Sequence, residues 1–217
     1  SFTVRVSDGI ASATRTIGVT VVGAPTITGI SPASGSVSGG TSVIITGSNF
    51  TGTTAVKFGS ANATSYTVDS ETQITAVSPA GGAGTVDVAV TTPSGTSTAG
   101  VGSRFTYTTA PSLSGPTAMS LTEGYGVTAT DVYTVTGTAP VTVTKISGNE
   151  KITWNDTTAQ LDIAAGLVAG SYPVELKASN GTLPDATLTF TLTVNAAPTI
   201  TASAGSGGSM SPSGSVT

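Results

Sequence analysis

The chain has 217 residues, no His, no Cys, 8% charged side chains and a formal net charge of −4; this length allows one large or two small domains. Seven Lys and Arg in an acidic chain exclude a nucleic-acid partner, which needs a basic patch. The lack of His and Cys excludes disulfide staples, Ser-His-Asp catalysis and Cys nucleophiles, and removes the commonest metal ligand. Thr, whose branched Cβ suits a pleated surface, alternates with apolar residues, and 28 Gly and 11 Pro punctuate the runs. The expected class is all-β with many turns. No apolar run approaches the ~20 residues of a membrane-spanning helix.

In residues 1–22, Phe2, Val4 and Val6 alternate with Thr3, Arg5 and Ser7, which predicts a half-buried strand. Ser7-Asp8-Gly9 reads as a turn, and Ile17, Val19 and Val21 resume the alternation. Phe2 to Gly9 (FTVRVSDG) aligns on Val174 to Gly181 (VELKASNG), and Val19-Thr-Val21 on Leu192-Thr-Val194. Residues 1–22 therefore read as the last hairpin of a preceding module, in a chain that looks cut from something longer. Three junctions share one punctuation: Val22-Gly23-Ala24-Pro25, Thr108-Thr109-Ala110-Pro111 and Asn195-Ala196-Ala197-Pro198. The prolines are 86 and 87 residues apart, the spacing of an array of ~100-residue sandwich modules.

Between the first two junctions, Thr26–Ile30 reads as a strand, followed by a Pro/Gly/Ser turn region. A tight Gly39-Gly40 corner and a strand at Ser42–Thr46 come next. Ala55–Phe58, Thr64–Val68, Gln73–Val77, Thr85–Thr91 and Arg104–Thr108 complete seven strands, with Val86, Val88 and Val90 on one face and Asp87 and Ala89 on the other. Ile30-Ser31-Pro32, Ser34-Gly35, Ser38-Gly39-Gly40-Thr41, Val43 through Gly47, Asn49-Phe50 and Val56-Lys57-Phe58-Gly59 resemble the IPT/TIG domain. The resemblance implies an immunoglobulin-like sandwich over residues 25–108. Some members of that family bind DNA through basic loops; here Lys57 and Arg104 are the only basic residues of the segment, so that role is rejected.

In residues 111–197, Gly170-Ser171-Tyr172 and Asn180-Gly181 frame a strand as in the putative-immunoglobulin (He-PIG) and cadherin-like modules of bacterial surface proteins, which this stretch resembles. Asp156-Thr157-Thr158 stands at that family's turn, but Ala159-Gln160 replaces its usual Gly. In the last strand Leu188, Phe190, Leu192 and Val194 should face the core, with Thr187, Thr189, Thr191 and Thr193 in water. Residues 198–217 resemble the start of a further repeat module.

Ala159–Ala169 is the best helix candidate, and its Gly166 and Gly170 argue for turn and strand instead. Asp156 and Asp162 are read as a turn carboxylate and an outward strand carboxylate beside inward Leu161 and Ile163, rather than as an acid–base pair. Cadherin-like modules often hold calcium at their junctions, yet Gly23-Ala24 and Thr109-Ala110 lack carboxylates, and Asp8, Asp131 and Asp185 are scattered. Trp154 is expected in the core beside Ile152 rather than as a sugar platform. Asn49, Asn62, Asn155 and Asn180 match the glycosylation pattern by chance in so Thr-rich a chain.

The expectation is an all-β chain of tandem immunoglobulin-like β-sandwich domains in an elongated array. No catalytic, cofactor-binding or metal-binding residue is assigned, and no cofactor. The expected role is a non-catalytic segment of a large secreted bacterial surface protein, at the cell surface or wall, as spacer, stalk or adhesive modules. The expected partners are neighbouring modules of the same chain and an unidentified cell-surface protein or glycan. The alternative is a set of accessory, carbohydrate-binding modules of a secreted polysaccharide-degrading enzyme.

Overall fold

A strand whose side chains alternate apolar and hydroxyl must bury one face and wet the other, so two such sheets close on each other. The computed structural model describes residues 1–18 and 22–199. It has two compact units, one of Ser1–Pro111 with the loops Thr136–Val141 and Ser179–Asp185, the other of Ser112–Val135, Thr142–Ala178 and the chain from Ala186.

The first unit opens with β1 (Phe2–Ser7) and β2 (Ser12–Ile17), an isolated antiparallel hairpin. The alternation suits a half-buried strand, but without a partner sheet Phe2, Val4 and Ile17 are expected to be exposed, and they are. Every residue of both strands is exposed, Phe2 at 54% and Val6 at 68%, because among the described residues no second layer covers the apolar face. Val19 and Val21 lie outside the described residues. The hairpin nonetheless matches its aligned partner in detail. Asp8 Oδ1 accepts from the Ile10 amide at 2.9 Å, as Asn180 Oδ1 accepts from Thr182 at 3.0 Å, with Gly9 and Gly181 at φ +89° and +81°.

The rest of that unit is β3 (Thr26–Ser31), β4 (Ser34–Ser36), β5 (Ser42–Ser48), β6 (Ala55–Phe58), β7 (Ala61–Asn62), β8 (Ser65–Ser70), β9 (Gln73–Val77), β10 (Gly84–Thr92), β11 (Gly95–Thr96) and β12 (Arg104–Thr108). One sheet runs β3-β5-β9-β8; the other runs β4-β12-β10-β6-β7, with β11 beside β10. Val43, Ile45, Ile74 and Ala76 of the first sheet and Val56, Phe58, Val88, Val90, Phe105 and Tyr107 of the second meet, with Phe50, in one buried cluster. Phe105 sits edge-on to both Phe58 (5.1 Å) and Tyr107 (5.0 Å), the arrangement that ring quadrupoles favour. Ser34-Gly35, expected in a turn region, is instead the short strand β4, parallel to β12. The Gly39-Gly40 corner forms as expected, at φ +75° and +81°, and a Cβ on Gly39 would lie 2.5 Å from the Pro79 carbonyl carbon.

The remaining strands are β13 (Ser112–Ser114), β14 (Ala118–Thr122), β15 (Thr128–Ala129), β16 (Thr134–Thr136), β17 (Thr142–Ser147), β18 (Ile152–Asn155), β19 (Gln160–Ile163), β20 (Gly170–Ser179) and β21 (Ala186–Asn195). They form sheets β14-β21-β20-β17 and β15-β19-β18 and the pair β13-β16. Val174, Leu176, Ala178, Phe190, Leu192 and Val194 on the larger sheet, and Ile152, Leu161 and Ile163 on the smaller, are buried. Ala159–Ala169, the helix candidate, contains β19 and a loop. Among the described residues the only helix is the single 3-10 turn Val101–Ser103.

The β21 pattern follows the expected register, with Phe190, Leu192 and Val194 buried and Thr187, Thr189 and Thr193 exposed. Thr191 differs in being half-buried, lying between Ala118 and Pro173 on the flanking strands. Phe190→Ala is expected to cost about 3–5 kcal/mol by opening a cavity, and Thr189→Ala about 0.5 kcal/mol or less. Urea unfolding of both variants measures the difference, and equal losses would mean an inverted register.

Candidate functional site

The residues singled out for chemistry converge on the β18–β19 hairpin. Antiparallel pairing sets Trp154 opposite Leu161 and Asn155 opposite Gln160. Asn155 Oδ1 accepts from the Thr157 and Thr158 amides (3.0 and 3.3 Å), a side-chain-closed turn. Ala159 then takes φ +52°, the left-handed conformation that Gly adopts without a Cβ penalty.

The hairpin engages both candidate carboxylates separately. Asp156 Oδ1 accepts from Trp154 Nε1 at 2.6 Å, and Asp162 Oδ2 accepts from Asn155 Nδ2 at 2.9 Å. Leu161 and Ile163 flank Asp162 and are fully buried, as expected. These contacts anchor a turn and a strand; they do not aim two carboxylates at one bond. Trp154 is half-buried on the face it shares with buried Ile152, and its ring meets Tyr133 edge-on at 5.6 Å. Its indole nitrogen donates to Asp156, and half-burial with the Tyr133 contact covers part of the ring.

Tyr133 had no signal in the sequence. It is buried, and its hydroxyl lacks a hydrogen-bond partner. The nearby Thr130 hydroxyl is committed to the Asp131 carbonyl and the Leu161 amide. Burial pushes the Tyr133 phenol up to about 12 from an ordinary 10.0, and the neighbouring Thr130 hydroxyl, though outside hydrogen-bonding geometry, offsets part of the rise. Two lysines are also internal devices. Lys145 Nζ donates to the carbonyls of Asn149 (2.6 Å) and Ile152 (2.7 Å), and Lys151 Nζ to those of Gly166 (2.9 Å) and Ala165 (3.3 Å). Each ammonium group thus bridges two main-chain carbonyls.

The scattered carboxylates stay on separate elements. Asp8 lies in the β1–β2 turn, its carboxyl held below the usual range by the Ala11 and Ile10 amides; Asp131 follows β15 and Asp185 precedes β21. Among the described residues no three carboxylates group as metal ligands would. Of the four glycosylation-pattern asparagines, three have their amide nitrogen engaged. Asn49 donates to Ala24 O, Asn155 to Asp162, and Asn180 to both Thr109 O and Thr138 O, while Asn62 is exposed on β7. Lys57 and Arg104 both lie exposed on the larger sheet of the first unit, Arg104 opposite Asp87. Surface hollows of about 200 Å³ at Thr54, Ala55, Val56, Asn62, Ala63 and Tyr66, and about 120 Å³ beside Met119 and Thr130, are smaller than the ~300–1,000 Å³ of ligand pockets.

Two outcomes follow for the whole chain. A neutral Tyr133 in the fold, against a phenol that ionises near 10 when unfolded, stabilises the fold below pH 10; that contribution is lost as pH rises from about 10 to about 12. Tyr133→Phe should match or exceed the parent in stability at neutral pH, since it removes an unsatisfied hydroxyl, and should flatten the alkaline loss in pH-dependent urea unfolding. Neither chelator nor millimolar calcium should move the melting temperature; a rise of several degrees with calcium would reveal a site.

Residues 25–108 match the model of the IPT/TIG domain. No curated protein matches the chain. Among solved structures, the chain is similar to an endo-fucoidan hydrolase of glycoside hydrolase family 107 (12% identity, TM-score 0.32, 67% of this chain and 24% of that one). It is also similar to SGBP-B, from a xyloglucan utilization locus of Bacteroides uniformis (22% identity, TM-score 0.32, 76% and 48%). A third similarity is to DIP-gamma IG1+IG2 (12% identity, TM-score 0.44, 81% and 99%). The chain thus spans about a quarter of the hydrolase and about half of SGBP-B. Its two facing sheets and its family match together make residues 25–108 an IPT/TIG domain, an immunoglobulin-like β-sandwich.

Proposed function

We propose that this chain is a non-catalytic, load-bearing segment of a large secreted bacterial surface protein. Its modules would serve as spacers or stalk elements, or as adhesive modules, and the second would be of the He-PIG or cadherin-like kind. One observation carries the reading. In each unit an early strand pairs in parallel with a late one: β4 with β12 through Ser34–Ser36 and Thr106–Thr108, and β14 with β21 through Ala118–Thr122 and Thr191–Asn195. The second ladder is extended at both ends, by Thr191 N donating to Thr117 O and Glu123 N donating to Asn195 O, each at 2.9 Å.

Tension applied along the chain pulls the early strand backward and the late strand forward along their shared length. All hydrogen bonds of the ladder are then loaded together, in shear, rather than peeled one at a time. A module that links an anchor to a distant site needs this property; a catalytic domain does not. The hairpin β1–β2, with the turn geometry of Asn180-Gly181 repeated at Asp8-Gly9, supports a repeated array. On this reading residues 1–22 are the end of a preceding module and residues 198–217 the start of another.

Single-molecule stretching of the chain by its two ends tests the proposal. The expected record is a pair of abrupt, high-force unfolding events, one per unit. The β1–β2 hairpin should peel at low force beforehand; extension of the two units at that same low force would overturn the proposal. Sedimentation with insoluble polysaccharides is the parallel measurement: retention of the chain by them would favour accessory modules of a polysaccharide-degrading enzyme.

A further inference from the structure

Asn180-Gly181 is the one Asn-Gly step in the sequence. The Asn180 side chain holds three main-chain groups. Its Nδ2 donates to Thr109 O (2.8 Å) and Thr138 O (2.9 Å), and its Oδ1 accepts from Thr182 N (3.0 Å). Gly181 is exposed, at φ +81°, with nothing within 4 Å of where a side chain would begin. We propose that Asn180 is a site of spontaneous deamidation whose rate is gated by this clasp, so that a unit that has opened is marked irreversibly.

The reaction needs only water. The Gly181 main-chain nitrogen gives up its proton and attacks Cγ of Asn180; a C–N bond forms, the Cγ–Nδ2 bond breaks, and Nδ2 takes up that proton through water and leaves as ammonia. Water then opens the cyclic imide at either carbonyl, giving aspartate or an isoaspartyl link. Glycine leaves the attacking nitrogen uncrowded, so the obstacle in the folded chain is the clasp. The attack needs a mobile side chain and expels Nδ2, so it must overcome the restraint of the bonds to Thr109, Thr138 and Thr182.

The chain also displays the electrostatics of the product. Asp8 occupies the position equivalent to Asn180, and its Oδ1 still accepts from the residue two ahead, so an aspartate keeps the turn. It cannot keep the clasp. A carboxylate oxygen in place of Nδ2 would face the Thr109 and Thr138 carbonyls, acceptor against acceptor, with a new negative charge. Deamidation therefore releases these two segments while leaving the turn that carries it.

The test incubates the whole chain at mildly alkaline pH, in buffer and in urea, and follows the mass gain of one dalton by peptide mapping. The expected result is at least tenfold faster conversion at Asn180 in urea, with isoaspartate in the product. Equal rates in the two conditions, or conversion at another asparagine first in urea, would overturn the gating. Asn180→Asp is the second arm. It should lower the melting temperature by a few degrees without abolishing folding; a melting curve identical to the parent's would mean that the clasp holds nothing.

Discussion

The parallel meeting of an early and a late strand in each unit is the constraint on which the other features depend. Once β4 lies beside β12 and β14 beside β21, the strands between must turn back repeatedly and fill two layers. Each strand can then bury only alternate residues. The sequence meets that demand with Val, Ile, Leu and Phe at one parity and Thr, Ser or charge at the other, as in Val86 to Val90 and Leu188 to Val194. The close approach of strands also explains Gly47. A Cβ there would strike the Thr26 carbonyl oxygen and the Phe50 ring.

Lacking disulfides, the chain ties its loops with polar side chains. Asn155 closes the β18–β19 turn, Asn180 clasps Thr109 and Thr138, and Lys145 and Lys151 hold main-chain carbonyls. Asp156 and Asp162 take donors from the same hairpin. Each such bond is worth about 0.5–1.5 kcal/mol, more when charged, but leaving the carbonyl unpaired would cost more. Groups that resemble catalytic or ligand-binding residues in isolation are thus largely used up internally.

Repetition adds a comparison that a single module would lack. The turns at Asp8-Gly9 and Asn180-Gly181 share their geometry, yet the first joins strands whose apolar face is bare among the described residues and the second joins strands with one buried face. The same local code therefore yields an exposed ribbon or a sandwich wall according to whether a second layer is present. Phe2 and Val4 align with Val174 and Leu176, which are buried in the larger sheet of the second unit.

The sequence by itself determined the all-β class, the IPT/TIG segment 25–108 and the facing of the long strands, because alternation and Gly-Pro punctuation are local physical signals. The tight Gly39-Gly40 corner and the burial of Leu161 and Ile163 around Asp162 were legible for the same reason. Only the tertiary structure decided that Ser34-Gly35 is a strand, since its partner lies about 70 residues away at Thr106 and Tyr107. It alone decided that Thr191 is half-buried, that Tyr133 is stranded without a partner, and that Asn180 spans to Thr109 and Thr138. Such contacts join residues far apart in the chain, and a polar side chain's partner is set by which carbonyl the fold brings to it.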